Sequence, residues 1–413
     1  MICILPDAHI PFYPYIFVSQ PSDWQEQVFK FEIPIMINGM KKTNFLFVLA
    51  LLLISKLAIG QTNLHAFTPG QLWPDDKGVH INAHGGGLLY QKGTYYWYGE
   101  HKIASGAGNR AMVGVHCYSS KDLYNWKDEG IALSVSDDRA NDIAKGCILE
   151  RPKVIYNKKT KKYVMWFHLE LLGQGYKAAR AGVAVSDKVT GPYTFVKSYR
   201  PNPGFMPVYP EGTPESDKVN CDHPANKSEG FFCRDLPGGQ MARDMNVFVD
   251  DDGKAYHIFS AEENFTLDIA ELNSDFTGHT GKFTRVYAGH QTEAPAIFKH
   301  NGIYYLIGSG TTGWAPNPAR WFSAPSIWGP WTYHGNPCVG TGSETTFGGQ
   351  STYVLPVAGK KDAFIFMADK WTPKDAIDGR YLWLPITFKG DDIEINWLDK
   401  WDLSIFKKNK NKK

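Results

Sequence analysis

An all-β fold, a five-bladed β-propeller, is what this sequence predicts, and three observations lead there. A strand–turn–strand unit recurs five times along the 413 residues, its second strand rich in Tyr, Trp and Phe. Aromatic residues make up 14% of the chain, and 40 glycines and 25 prolines supply turns, a composition suited to many short strands. No segment of helical periodicity competes with this pattern.

The first copy spans 87–98 and turns at Gly93; the second spans 153–167 and turns through a Lys/Thr-rich stretch. The third, 246–259, turns at Asp250, Asp251, Asp252 and Gly253. Those aspartates resemble part of a calcium loop, but a place between two strands makes them a plain hairpin turn. The fourth, 296–307, turns at Asn301 and Gly302, and the fifth, 352–366, at Gly359. Each copy reads as a hairpin. One hairpin per unit of roughly 50–90 residues is the signature of propeller blades or a related radial repeat. Segments 122–126, 191–195 and 329–333 mark outer strands. A β-sandwich is the alternative arrangement. Residues 201–239 form a long insertion rich in Pro, Gly and Asp, expected as a surface loop near the mouth of the site. The propeller is expected to occupy 61–406, followed by a basic, disordered tail over 407–413.

The amino-terminal region reads differently. Met40, Lys41 and Lys42 precede an apolar run over 45–54, and Leu57, Ala58, Ile59 and Gly60 follow. That is the layout of a secretory signal peptide over 40–60, cut after Gly60, and the run is too short to span a membrane. Residues 1–39 are then expected to be an over-extended start, and the mature protein secreted or periplasmic. Export suits the cysteines: Cys221 and Cys233 lie close together in a polar loop and could form a disulfide, whereas Cys117, Cys147 and Cys338 read as buried thiols. No Cys/His spacing predicts a zinc site, and no metal or cofactor is expected. Lys plus Arg number 44 against 42 Asp plus Glu, so charge makes no case for nucleic acid or an anionic membrane. The abundant aromatics suit a saccharide ligand, since flat rings stack on the apolar faces of sugars. A monomer is expected.

In a propeller the first strand of each blade runs along the central axis, so residues entering those strands converge. Before the five hairpins stand His84, followed by three glycines; Glu150 and Arg151; Arg243 and Asp244; Glu293; and Gln350. A random surface carboxylate accounts for any one of them but poorly for the set. Carboxylates brought together can split into a protonated acid and an ionised partner, which is what glycoside hydrolysis needs. Arg151 and Arg243 would hold the remaining carboxylates ionised. Tyr98 and Glu100 end a strand at the same end of the propeller and are candidate sugar contacts. Trp314 and Asn317, in a Gly/Pro-rich loop after blade four, read as a stacking platform and a hydrogen-bonding group.

These residues give the chain a resemblance to a known family. The segments 83–87, 95–100, 150–153, 243–246, 293–295, 312–317 and 350–353, in that order and spacing, resemble glycoside hydrolase family 43, in particular its exo-β-1,3-galactanase branch. The resemblance runs from about residue 80 to 406. It implies an inverting enzyme with Glu293 as general acid and Asp244 tuning and orienting it. The family's usual base is an Asp entering blade one, where this sequence has Ala83 and His84. The galactanase branch shares that departure and places a Gln entering blade five in the base position, here Gln350, with Glu150 as a further carboxylate. A neutral amide is a very poor proton acceptor, so Gln350 is expected to hold the water, and Glu150 could be the base instead. Inversion implies roughly 6.5–9.5 Å between the acid and the water-side group. Two alternatives stand beside a galactanase: an α-L-arabinofuranosidase or β-xylosidase on the same fold, and a carbohydrate-binding propeller without activity.

Overall fold

A computed structural model describes residues 63–218, 220–221 and 231–407. The expected signal peptide, the residues before it, Cys3 and nearly all of the basic tail lie outside the described residues. The chain forms five sheets, antiparallel but for one short parallel edge pairing in the fifth, arranged as a five-bladed propeller. Blade one holds β1 (His84–Gln91), β2 (Thr94–Lys102), β3 (Met112–Ser120) and β4 (Lys127–Ser134). Blade two holds β5 (Ile148–Asn157), β6 (Lys162–Glu170), β7 (Arg180–Ser186) and β8 (Thr194–Tyr199). Blade three holds β9 (Met245–Val249), β10 (Ala255–Ala261), β11 (Thr266–Leu272) and β12 (His279–Val286). Blade four holds β13 (Thr292–His300), β14 (Ile303–Gly310), β15 (Ala319–Ala324) and β16 (Thr332–Gly335). Blade five comprises β17 (Cys338–Val339), β18 (Gln350–Pro356), β19 (Phe364–Lys370), β20 (Arg380–Lys389) and β21 (Asp392–Asn396).

The five repeats are the two innermost strands of each blade, and the three outer-strand segments are the turns that lead into β4, β8 and β16. Five apolar clusters fill the seams between blades. Tyr98 and Phe167 lie between blades one and two, Trp166 and Phe259 between two and three, and Ile258 and Leu306 between three and four. Ile307 and Phe366 lie between four and five, and Trp97 with Trp383 between five and one. In that last seam the indoles of Trp97 and Trp383 stand 4.9 Å apart. Truncating a buried Trp of this kind costs about 3–5 kcal/mol. The ring closes where Phe67 N–H bonds to Trp401 O at 2.7 Å, joining chain that precedes blade one to chain that follows blade five.

Side chains tie the inner strands together at the axis. Lys153 Nζ donates to Gly85 O at 2.7 Å, Asn246 Nδ2 to Pro295 O at 3.1 Å and Ser351 Oγ to Ala294 O at 2.6 Å. The insertion at 201–239 lies between β8 and β9 and contains a Cys221–Cys233 disulfide, while Cys117, Cys147 and Cys338 are buried free thiols. No described residue of that insertion lines the central cavity. Its contacts run to blade three instead, through Tyr209 to Arg285 at 3.0 Å and Arg234 to Glu263 at 3.0 Å. Among the described residues no helix is long and apolar enough to cross a membrane.

Candidate active site

A cavity of about 470 Å³ opens at one end of the propeller axis, and Glu150, Arg151, Asp244, Glu293 and Gln350 all line it. A local backbone device brings several of them there. The first strands of blades one, two and four each carry a register shift, between His84 and Gly87, Glu150 and Lys153, and Glu293 and Ala296. At each shift the residue after the entry residue takes a left-handed φ: Gly85 at 59°, Arg151 at 56° and Ala294 at 56°. Such bulges re-aim a side chain, here toward the axis.

Glu293 and Asp244 form the centre of the site. Asp244 pairs with Arg151 at 2.9 Å, and its Oδ2 accepts from Ala294 N, next in sequence to Glu293, at 3.1 Å. Glu293 Oε1 accepts from Gln350 Nε2 at 2.8 Å, and its Oε2 from Asn264 Nδ2 at 3.1 Å. Burial and then the negative charge of Asp244 push the Glu293 carboxyl up to about 8, against the opposing pull of Arg151 and Gln350. Asn264 closes a run of three left-handed residues, Glu262, Glu263 and Asn264 at φ 51°, 58° and 65°. Left-handed non-glycine backbone costs of order 1–3 kcal/mol per residue. The loop is held by the buried Glu262–Arg285 ion pair and by Glu263, which takes Arg234 at 3.0 Å and Arg243 at 2.9 Å.

Gln350 is fully engaged. Arg151 donates to its Oε1, and its Nε2 reaches Ser309 Oγ at 2.9 Å as well as Glu293. A separation of several ångströms between acid and water-side group is therefore absent here; the adjacent inner strands of blades four and five converge enough for the two side chains to bond directly. Glu150 is held from three sides. Its Oε1 accepts from Asn109 Nδ2 at 2.6 Å and Tyr176 OH at 2.8 Å, and its Oε2 lies 3.0 Å from His168 Nδ1. Burial alone would raise the Glu150 carboxyl, but His168, Lys102 and the Tyr176 hydroxyl outweigh it and bring it to about 2. The other His168 nitrogen lies 2.9 Å from Glu170, and these two carboxylates overcome burial to raise the imidazole to about 9.

The remaining sequence candidates divide. Trp314 lines the cavity and is 53% exposed, free to stack on a ligand. Asn317 also lines it, but its amide bonds Gly310 N, Gly310 O and Thr312 Oγ1 and so shapes the loop that carries Trp314. Glu100 reaches the cavity with both oxygens occupied, one by Arg151 N at 3.0 Å and one by the Lys102 ammonium. Tyr98 and His84 lie away from the cavity wall, whereas Arg243 is on it. Tyr98 is buried in the seam between blades one and two, its hydroxyl on Val189 O at 2.6 Å, and the β2 residue that reaches the cavity is Glu100. His84 is 1% exposed and does not line the cavity; its ring stacks on Trp371 at 4.6 Å. Arg243 lines the cavity and pairs with Glu263, whereas Arg151 pairs with Asp244. Asn109, His168, Tyr176, Asn264, Ser309, Asp369 and Trp371 line the cavity without having been singled out in the sequence. Glu150, His168 and Asp244 place ligand-type atoms within 4.8 Å of one another, but both His168 nitrogens and the Asp244 carboxylate already have protein partners.

Residues 221–381 match the family Glycosyl hydrolases family 43. A β-1,3-galactosidase of that family, solved with galactodeoxynojirimycin, is 53% identical with a TM-score of 0.75, covering 82% of this chain and 100% of that one. An exo-β-1,3-galactanase from Phanerochaete chrysosporium, solved with galactose, is 33% identical with a TM-score of 0.67, covering 82% of this chain and 68% of that one. One from Clostridium thermocellum is 34% identical, also with a TM-score of 0.67, covering 81% and 66%. A curated β-D-galactofuranosidase of Aspergillus niger is 30% identical over 129 residues, which is 28% of this chain and only 37% of that relative's length. Similar at 53% identity to a family member along that protein's entire length, and folded as the same kind of propeller, this chain belongs to glycoside hydrolase family 43 and is a glycoside hydrolase.

Proposed function

We propose that the protein is an inverting, exo-acting hydrolase that releases galactose from the end of β-1,3-galactan chains. One observation carries the reading: a buried carboxyl, Glu293, held protonated near neutral pH beside an arginine-paired carboxylate, Asp244, on the wall of an axial cavity. The names of the β-1,3-galactosidase and the two exo-β-1,3-galactanases it resembles support the choice of sugar and linkage.

Glu293 is assigned as the general acid that protonates the departing glycosidic oxygen. Asp244 keeps the proton on Glu293 by its charge and, through Ala294 N, fixes the backbone beside it. Gln350 is assigned to orient the attacking water once an entering sugar parts its amide from Glu293; Arg151 polarises its carbonyl. Glu150 is assigned to a sugar hydroxyl rather than to proton abstraction, since a carboxylate held to about 2 with both oxygens occupied is a weak base. Trp314 supplies the face on which a sugar ring stacks. The protein is assigned to the exported fraction on its signal-type segment at 40–60 and the Cys221–Cys233 disulfide.

Incubation with β-1,3-galacto-oligosaccharides, followed by proton NMR of the first-formed product, tests the reading. α-Galactose released one unit at a time is expected. Activity on nitrophenyl arabinofuranoside or xyloside but none on galactan transfers the enzyme to another branch, and binding without release makes it a lectin-like propeller.

A further inference from the structure

Beside the axial cavity lies a larger space, a groove of about 750 Å³. Asn109, Tyr176, Trp314 and Trp371 line both, so the two are continuous. The junction between them is aromatic and open: Trp314 is 53% exposed and Tyr176 43%. Trp314 meets Trp371 edge-on, ring centres 5.6 Å apart, and the two indoles form a corner that a chain of sugars can follow out of the cavity. Leu172 and Pro373 continue the apolar wall beyond it.

The charge of the groove is one-sided. No Asp or Glu lines it, but Lys102 and Arg110 do. Lys102 is buried, and Glu100 takes its ammonium. The Arg110 side chain is exposed and makes no hydrogen bond, ion pair or ring contact among the described residues. Its backbone is nonetheless fixed. Arg110 N bonds to Ala107 O at 3.2 Å. The preceding residue, Asn109, donates to Glu150 Oε1 at 2.6 Å and to Tyr176 OH at 3.0 Å. Consecutive Cα atoms are about 3.8 Å apart, so the free guanidinium springs from a point one residue away from the catalytic wall. Glu150, the acid to which these bonds lead, is answered by His168 and leaves the Arg110 charge unpaired.

A guanidinium is a planar fork of donors matched to a single anionic group held by two parallel bonds. A ligand that leaves the cavity along aromatic rings and ends in such an anion is an acidic sugar. A phosphorylated sugar fits less well, because it carries nearly two charges and Lys102 has none to spare. We propose that the groove is a second saccharide subsite for a hexuronic acid joined to one of the galactosyl units at the catalytic centre, and that Arg110 binds its carboxylate. The place of this subsite beside the point of cleavage rests on the glycosidase reading above.

The test gives wild type and R110Q two trisaccharides, β-1,3-galactobiose with glucuronic acid β-1,6-linked to the terminal or to the leaving galactose. Each is also supplied as its methyl ester, which keeps the shape and removes the charge. Wild type is expected to cleave one of the acids with a kcat/KM about 5–20-fold above that of its ester, the lower part of what a hydrogen bond to a charged group supplies. The arm that shows this preference identifies the galactose that the groove serves. In R110Q the acid-to-ester ratio is expected within about twofold of one, and R110K, a cation without the fork, should keep part of it. Equal rates for acid and ester in both arms of wild type, or an unchanged ratio in R110Q, overturn the proposal. Calorimetric titration with 6-O-β-glucuronosyl-galactose and its methyl ester reads binding without turnover, and wild type should hold the acid at least about fivefold more tightly. 2,4-Dinitrophenyl β-galactoside, which places no second sugar in the groove, reports on the catalytic centre by itself. A wild type inert on that substrate and on galactobiose, yet still preferring the acidic disaccharide in the titration, refutes the glycosidase reading and leaves the subsite standing. Hydrolysis of both with no preference for acid over ester refutes the subsite alone.

Discussion

Replacing Asp244 with Asn tests the electrostatic core of the site. The substitution keeps the shape and removes one negative charge. In the wild type, Glu293 is lifted from 4.5 to about 8, first by burial and then by Asp244. A like charge within ~4–6 Å at an effective dielectric constant near 20 is worth roughly 3–4 kcal/mol, or about 2–3 pH units at 1.36 kcal/mol each. D244N also strips Arg151 of its 2.9 Å partner, leaving its positive charge to favour ionised Glu293. Both effects have the same sign: the carboxyl falls, burial keeps it above its ordinary value, and the acid is lost at lower pH. The basic limb of kcat/KM on β-1,3-galactobiose, near pH 8 in the wild type, is expected near pH 5–6 in D244N, with a loss of at least about tenfold at pH 7 relative to the variant's own plateau. Rates measured from pH 4 to 10 read this directly. A basic limb within 0.3 unit of wild type, or one shifted upward, would refute the assignment of Asp244 as the charge that keeps Glu293 protonated.

E293Q should lose about 10²–10⁴-fold in kcat on galactobiose but much less on the dinitrophenyl galactoside, whose leaving group needs no proton; equal losses on both would contradict the acid role. W314A should raise KM about 5–30-fold with little change in kcat, from a lost stacking contact of about 1–2 kcal/mol, as steady-state kinetics will show. His168 gives stability a pH signature. Its folded value, about 9, lies above its ordinary 6.5, so its contribution is complete below about 6.5 and disappears as pH rises through 9. Glu150, depressed to about 2, contributes above about 4.5 and loses that contribution as pH falls through 2. Melting temperatures of wild type should therefore decline between pH 6.5 and 9, and H168Q should flatten that limb.

How much of this was legible in the sequence follows from which strand a residue occupies. A hairpin announces itself by a polar turn between two apolar runs, so the five inner pairs could be placed, and with them Glu150, Asp244, Glu293 and Gln350. Residues on second strands are harder, because their height along the axis depends on the turn and on any bulge in the partner. Asp369 pairs with Gln350 only through the register of β18 and β19, which itself shifts between Ser351 and Tyr353. The same uncertainty misplaced Tyr98, which shares its strand with Glu100 but lies deeper in the seam. Asn109, Tyr176 and Asn264 come from loops whose paths are set by partners distant in sequence, and no local pattern marks them. The insertion at 201–239 is legible as a loop from its composition, whereas ion pairs and hydrogen bonds to blade three decide where it lies.

The bulges show why the entry residues form a site at all. A regular strand alternates its side chains between the two faces of its sheet, so an inner-strand residue would point into one of the seams beside its blade rather than along the axis. Inserting one left-handed residue after Glu150 and after Glu293 breaks that alternation where the strand reaches the cavity. The strain at Ala294 is balanced locally, because the backbone N–H it re-aims bonds to Asp244. Arg151, the left-handed residue of blade two, likewise turns its N–H to Glu100 and its guanidinium to Asp244, Gln350 and Ser351 O. The conformation that aims Glu293 is thus stabilised by the carboxylate that keeps it protonated, which couples the acid's position to its proton affinity.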